Sequence, residues 1–394
     1  MKRSSVILTA LCVSVFAVGT SEYLVAGLLP QVSADLGVSV GTAGQTVTVY
    51  GLGVAVGGPA VTLLTARTPR KALALALMLL FAAGSAVSAL AGSYRVLLLG
   101  RVLSSLSHAA FFALALVVAS RVVPAQKVGR ATAAVVSGLT VATLLGVPLG
   151  ALLGERTSWR VPFAVLTGVT LLGAALLAAV LPRQDAEPAG ARAEIRVLAR
   201  RPVLLAVATT AVGFAGVATV FTYIAPLLTD VTGFAPFTVS VLLLAYGGGS
   251  FLGNLAAGRL TDRAPVATLR GVFAALAVVL ACTPLAVTRR PTAVLAVLLL
   301  GLFATATIAP LQGLILRHAG EAPTLAVAVN VGAFQLATAA GSAIGGAVVA
   351  AGALRWTGLA GAALSAAGLA VSCWALPRAR TGQAPGPGAV APAG

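Results

Sequence analysis

The chain has 394 residues, 59% of them hydrophobic and only 9% charged, with a mean hydropathy of +1.03. Ordinary soluble domains carry about 25% charged residues, so this composition excludes a soluble enzyme or binding module and indicates a polytopic membrane protein. A formal net charge of +17 would suggest a nucleic-acid partner for a soluble protein, but here the basic residues cluster in short breaks between apolar runs, where they orient a chain in a bilayer.

The first run, Val6 to Leu29, is 24 residues long. At about 1.5 Å per residue it crosses a hydrocarbon core of about 30 Å with some tilt. Lys2-Arg3 ahead of it imitates a secretory signal peptide, but the run continues past any cleavage zone and many more follow. Inside it lies Gly19-Thr20-Ser21-Glu22-Tyr23. A charged side chain there costs at least about 2.5 to 3.5 kcal/mol on insertion scales, so Glu22 is expected to face a cavity or a partner, not lipid.

Breaks at charges, prolines and polar clusters give twelve spans, near 6–29, 42–64, 72–92, 96–120, 131–153, 161–181, 203–226, 237–258, 269–288, 292–314, 325–350 and 355–376. The expected fold is therefore all-α, with twelve membrane helices in two halves of six. Residues 1–182 form the first half, 183–202 a cytoplasmic linker and 203–376 the second half, with a proline- and glycine-rich disordered tail over 377–394. With the N-terminus in the cytoplasm, the inner breaks collect most of the basic residues, among them Lys2, Arg3, Arg67, Arg70, Lys71, Arg121, Lys127 and Arg130. The outer breaks hold only Arg95, Arg156, Arg160, Arg289, Arg290 and Arg355. The positive-inside rule then puts both termini in the cytoplasm of a multi-pass protein of a bacterial inner membrane. Cys12, Cys282 and Cys373 lie in apolar runs without paired spacing, which supports neither a disulfide framework nor a metal site.

An offset of 196 maps Pro30 onto Pro226, Gly37 onto Gly233, Tyr50-Gly51 onto Tyr246-Gly247, Gly53 onto Gly249 and Gly57 onto Gly253. It also maps Leu64-Thr65-x-Arg67-x-Pro69 onto Leu260-Thr261-x-Arg263-x-Pro265. Matches in one unbroken register indicate a parallel internal repeat, the plan of transporters that bind substrate at the midplane between two halves.

In the fourth span, Arg101 lies about 8 Å inside the outer end of its helix and Glu22 about 10 Å inside the outer end of its own. The two share a depth. Neither has a charged repeat counterpart, since 218 is alanine and 297 valine. The alternative for Arg101 is a side chain that snorkels to the outer interface. His108, near the middle of the same span, is a cavity candidate that could relay protons or serve only as a hydrogen-bonded packing residue. Phe112 beside it is more easily read as packing than as a solute contact. Further cavity candidates are Tyr23, Tyr50, Tyr223, Tyr246, Asn330 and Gln335, all within spans, although such residues often bond only helix to helix.

Gly258-Arg259-Leu260-Thr261-Asp262-Arg263 after the eighth span, Gly100-Arg101-Val102-Leu103 in the fourth and Gly146-Val147-Pro148-Leu149-Gly150 in the fifth carry a resemblance. The chain resembles the major facilitator superfamily, and within it the twelve-span drug:proton antiporters related to chloramphenicol-resistance and sugar-efflux permeases. The resemblance implies proton transfer at Arg101, with which the depth-matched Glu22 is expected to couple protons or, as the alternative, to contact the substrate directly, and it implies an antiporter bend at Gly138, Gly146, Pro148 and Gly150. It also implies a cytoplasmic gate at Arg67, Gly258, Asp262 and Arg263. The first copy of the gate motif departs from the pattern, with Ala66 in place of the acid.

The sequence has no nucleotide-binding glycine loop with lysine and no metal-ligand cluster. The expectation is a non-enzymatic secondary transporter, working as a monomer without a cofactor, whose partners are a small-molecule substrate, protons and the lipid bilayer, with no nucleic acid. It exports a small hydrophobic compound in exchange for protons. The alternatives are a sugar or nucleoside permease on the same fold and, from another class, a non-transporting receptor or scaffold.

Overall fold

The computed structural model describes residues 2–65, 67–124, 128–182, 200–319 and 323–375. Among them there is no strand. The expected linker falls almost wholly within 183–199 and the expected tail within 377–394, both outside the described residues.

The first half contains helices Lys2–Leu36, Val40–Leu64, Arg70–Ala89 and Tyr94–Arg121, then a fifth span in two pieces, Val128–Val141 and Val147–Arg156, and a sixth, Arg160–Val180. The second half contains a seventh span broken into Arg201–Gly213, Ala215–Phe221 and Ile224–Pro226, then Pro236–Arg263 and Pro265–Ala286. Its tenth span is Arg290–Ala306 with Ile308–Ala319, the eleventh Pro323–Ala350 and the twelfth Thr357–Ala375. Among the described residues, eleven stretches are long and apolar enough to cross a membrane. The remaining one of the twelve expected spans, Val40–Leu64, is a 25-residue helix of comparable length.

The first helix runs past Pro30, which it holds internally, and continues to Leu36. It stops at Gly37, which turns the chain at φ +63°, a conformation that costs glycine little because it has no Cβ. The repeat partner Gly233 turns at φ +75° in the equivalent place. Here the repeat read from the sequence is visible in backbone conformation.

The halves meet along two seams that the same offset relates. On one, the second span lies against the eleventh: a Cβ added at Gly51 would sit 2.6 Å from the Gln335 carbonyl, and one at Gly41 would sit 3.1 Å from the Gly346 carbonyl. The Ser342 hydroxyl donates to the Gly44 carbonyl across this seam at 3.0 Å. On the other, the eighth span lies against the fifth, and a Cβ at Gly247 would sit 2.5 Å from Leu144 Cα and 2.7 Å from the Thr143 carbonyl. Small residues permit this approach, and in lipid the approach itself supplies the packing energy. The contacts run from the face where the second span begins, hereafter the far face, to mid-bundle, and they close that half of the crevice.

At the place of the expected bend in the fifth span the helix changes form. A π-helical turn over Ala142–Gly146 precedes Pro148 and accommodates a residue that can donate no backbone hydrogen bond. Gly138 and Gly146 press against the first span: a Cβ at Gly138 would lie 2.5 Å from the Cys12 carbonyl and 3.0 Å from the Phe16 nitrogen, and Gly150 faces Leu24 at 2.5 Å. Gly19 makes the reciprocal approach, 2.7 Å from Leu139 Cδ2.

Candidate functional site

Glu22 is buried, with 7% of its surface exposed. It projects from the first helix one turn beyond Gly19, whose missing side chain lets that helix lie close to the fifth span. Glu22 Oε1 accepts a hydrogen bond from Gln335 Nε2 of the eleventh span at 2.7 Å. This bond crosses from one half of the molecule to the other. Glu22 Oε2 faces His108 Nε2 at 3.7 Å, beyond hydrogen-bond range. His108 Nδ1 is hydrogen-bonded to the Tyr50 hydroxyl at 2.9 Å.

Arg101 does not snorkel. It is 1% exposed and turned into the bundle, where Nη1 donates to the Ser21 carbonyl at 2.9 Å and to the Ser21 hydroxyl at 3.0 Å. Its Cζ lies 3.9 Å from the centre of the Tyr50 ring, a cation–π geometry. The depth match with Glu22 thus becomes proximity through intermediaries. Arg101 bonds the residue preceding Glu22 and stacks on the tyrosine that holds His108. No direct Glu22–Arg101 ion pair occurs among the described residues. Arg101 Nε and Nη2 are buried without a hydrogen-bond partner there.

Beside this cluster is a narrow cleft between the halves, with a volume of about 20 Å³ open to water in this state. Glu22, Tyr23 and Ala26 of the first span and Val47 of the second form one wall. Phe214, Val217, Ala218, Phe221 and Thr222 of the seventh span, with Thr338 of the eleventh, form the other. Tyr23 packs edge-on against Phe221, with ring centres 5.7 Å apart, and Phe221 in turn packs on Tyr246 at 4.3 Å. One wall therefore carries an acid and a phenol, while the other is mostly apolar and aromatic.

The cavity candidates consequently divide. Tyr23 lines the cleft, Tyr246 backs its aromatic wall, and Tyr50, His108 and Gln335 belong to the hydrogen-bonded cluster around Glu22. The other three do not line the cleft. Phe112 packs in the core of the first half, among residues of the third and fourth spans. Tyr223 sits at the far-face seam, wedged by Gly44 and Gly346, and its hydroxyl donates to the Ser342 carbonyl at 3.0 Å. Asn330 ties helices together, donating to Gln312 Oε1 at 2.8 Å and accepting from the Thr210 hydroxyl at 2.8 Å. In each case a polar or aromatic group at membrane depth is satisfied by a neighbouring helix.

Of the expected gate residues, Arg67 is exposed after the second span, Gly258 lies within the eighth helix and Arg263 is exposed at its end. The Asp262 side chain is outside the described residues. Sequence reasoning passed over Phe214, Val217, Phe221 and Thr338. Phe214 and Phe221 are seven residues apart, two helical turns, and that spacing was the available signal for a shared face. It also missed the clamp at the far face, where Asp35 Oδ2 accepts from Arg160 Nη1 at 2.7 Å and from Trp159 Nε1 at 3.1 Å.

The family model described as Major Facilitator Superfamily matches residues 11–332. Over 349 residues the chain is 39% identical to the inner membrane transport protein YdhP of Escherichia coli (strain K12), covering 88% of this chain and 89% of that protein. It is 38% identical over 337 residues to the chloramphenicol resistance protein of Streptomyces lividans, covering 84% and 86%. Among solved structures, the fold is similar to that of a D-xylose-proton symporter, with a TM-score of 0.74, 16% identity and coverage of 95% of this chain and 98% of that one.

Proposed function

The chain belongs to the major facilitator superfamily and is a multi-pass membrane transporter, and from that premise we propose that it exports a small, largely apolar solute of the chloramphenicol kind in exchange for protons. The observation that carries this reading is the bond from Glu22 in one half to Gln335 in the other, at the edge of a cleft with one polar and one apolar wall. A carboxyl group that changes charge changes the strength of that bond, because hydrogen bonds to ionised groups are about twice as strong as neutral ones. Protonation therefore biases how the halves sit, and a solute in the same cleft biases them through its own contacts. Two ligands acting on one two-state equilibrium are what exchange requires.

The cleft offers an acid, a phenol and two threonine hydroxyls among aliphatic and phenyl surface. That lining suits an amphipathic solute with few hydrogen-bonding groups. The energy source is the proton gradient, with no cofactor, the working unit is a monomer, and both termini lie in the cytoplasm of a bacterial inner membrane, so that the far face is the outer one. A chloramphenicol resistance protein among the relatives supports the substrate class.

The test uses inverted vesicles carrying either the parent protein or Glu22→Gln, with an imposed pH gradient and radiolabelled chloramphenicol. The parent accumulates the solute, and the variant binds it without accumulation. Full gradient-driven accumulation by Glu22→Gln would refute the reading.

A further inference from the structure

The imidazole of His108 is held between two groups of different kind, with Nδ1 on the Tyr50 hydroxyl at 2.9 Å and Nε2 facing Glu22 Oε2 at 3.7 Å. A neutral imidazole carries one N–H, and the bond made by one nitrogen decides where that N–H resides. When the Tyr50 hydroxyl donates to Nδ1, the N–H is on Nε2 and points at Glu22, as a carboxylate prefers. When Nδ1–H donates to the Tyr50 oxygen, Nε2 presents a lone pair to Glu22, as a protonated carboxyl prefers. A hydroxyl can take either part by rotation, so the same three side chains satisfy both forms of Glu22 without charging the histidine.

The geometry points to Tyr50 and His108 as a tautomeric relay through which protons reach and leave Glu22, an assignment that rests on the proton-exchange reading above. The step balances as a shift along one line. A proton from water arrives at the Tyr50 oxygen while the Tyr50 hydroxyl proton passes to Nδ1. The proton on Nε2 passes to Glu22 Oε2, and one positive charge is consumed in neutralising the carboxylate. Release is the reverse.

Two further observations fit. Arg101 stacks on the Tyr50 ring with Nε and Nη2 buried and unpartnered among the described residues, and buried donors of that kind call for ordered water. Water bonded to those donors would lie against Tyr50, whose hydroxyl takes up the proton. In addition, the gap from Nε2 to Oε2 exceeds hydrogen-bond length while Gln335 of the opposite half holds Oε1 at 2.7 Å. Departure of Gln335 as the halves rock frees the carboxyl group to close on His108, so the relay engages in one state and idles in the other. The titratable or charged groups facing the relay are Glu22 and Tyr23 of the first span, Tyr50 of the second and Arg101 of the fourth. Tyr246 of the eighth span stands behind Phe221.

The test requires no transported solute. The chain has two histidines, and His318→Gln leaves His108 as the one reporter. In that full-length protein in liposomes, infrared difference spectra on acidification give the Glu22 carboxyl band, identified by its loss in Glu22→Gln. Nitrogen-15 shifts of the histidine report the tautomer in parallel. The expected result is a ring neutral throughout, with the N–H moving from Nε2 to Nδ1 in step with the carboxyl band. Tyr50→Phe should still show the band, without the tautomer change and with equilibration after a pH jump slowed at least tenfold. Formation of imidazolium, one tautomer on both sides, or a Tyr50→Phe protein that equilibrates at the parent rate would each overturn the relay. A relay that works in a protein that accumulates no chloramphenicol would overturn the substrate reading alone. Absence of any carboxyl band assignable to Glu22 would overturn both.

Discussion

Gln335→Ala tests the link between the two halves directly. In the structure Gln335 Nε2 donates to Glu22 Oε1 at 2.7 Å, and both side chains are buried, at 4% and 7% exposure, so solvent screens the bond little. A hydrogen bond to a charged group contributes about 1.5 to 3 kcal/mol. Removing the amide leaves the carboxylate with the Tyr23 phenol and the long contact to His108 in this state. The far-closed arrangement is then destabilised by about the same 1.5 to 3 kcal/mol relative to an arrangement in which the halves have parted. At about 1.4 kcal/mol per factor of ten, that is a shift of roughly 12- to 140-fold in the populations. The reading is a spin-label distance between Ser39 and Ala351, exposed residues at the far ends of the second and eleventh spans. Cys12, Cys282 and Cys373 are replaced first so that only these sites are labelled. Gln335→Ala should move the distribution to longer distances at neutral pH. On acidification the effect should shrink, because the lost bond is then a neutral one contributing about 0.5 to 1.5 kcal/mol. A distribution identical to that of the parent at both pH values would refute the claim that this bond holds the halves.

The glycine seams give a second prediction. Gly247→Val brings a side chain against the backbone of Thr143 and Leu144, which cannot yield, so the far side should open at a cost of about 1 to 3 kcal/mol, whereas Gly248→Val, with nothing within 4 Å, should leave the same distances unchanged. At the far face, Asp35→Ala and Arg160→Ala combined in a double-mutant cycle should show only a weak coupling in thermal unfolding, falling with salt, because the two side chains are 45% and 30% exposed.

What could be read from the sequence, and what could not, follows from the range of each signal. Glu22 stood out because a single acid in an apolar run is expensive wherever the helix goes. The repeat stood out because glycines that end helices or admit a neighbour are fixed by backbone geometry, as Gly37 and Gly233 show. Gln335 could be seen as a polar residue at depth, but its pairing with Glu22 spans 313 positions and depends on how two separate halves register. Tyr223 and Asn330 satisfied the same criterion as Gln335 and turned out to bond neighbouring helices. Hydrogen-bonding capacity alone does not say which way a side chain faces. The aromatic wall escaped notice for the converse reason, since Phe214 and Phe221 are indistinguishable from packing residues until the rotation of the seventh span is known.

The repeat also explains why the cleft is two-sided. The seams are equivalent, with Gly51 against the eleventh span and Gly247, at the same offset of 196, against the fifth, so packing alone gives the halves similar rocking surfaces. The chemistry is not equivalent. At the repeat counterparts of Glu22, Arg101 and His108 stand Ala218, Val297 and Ala304, and only Tyr50 keeps its counterpart, Tyr246. Ala218 faces the cleft opposite Glu22, so duplication supplied the frame and divergence left one polar and one apolar wall. A symmetric hinge with its carboxyl, guanidinium and imidazole groups all in one half lets a single proton bias the whole movement, because no second carboxyl group offsets the change in charge. Placing a second acid at Ala218 would remove that property even if the fold were unchanged.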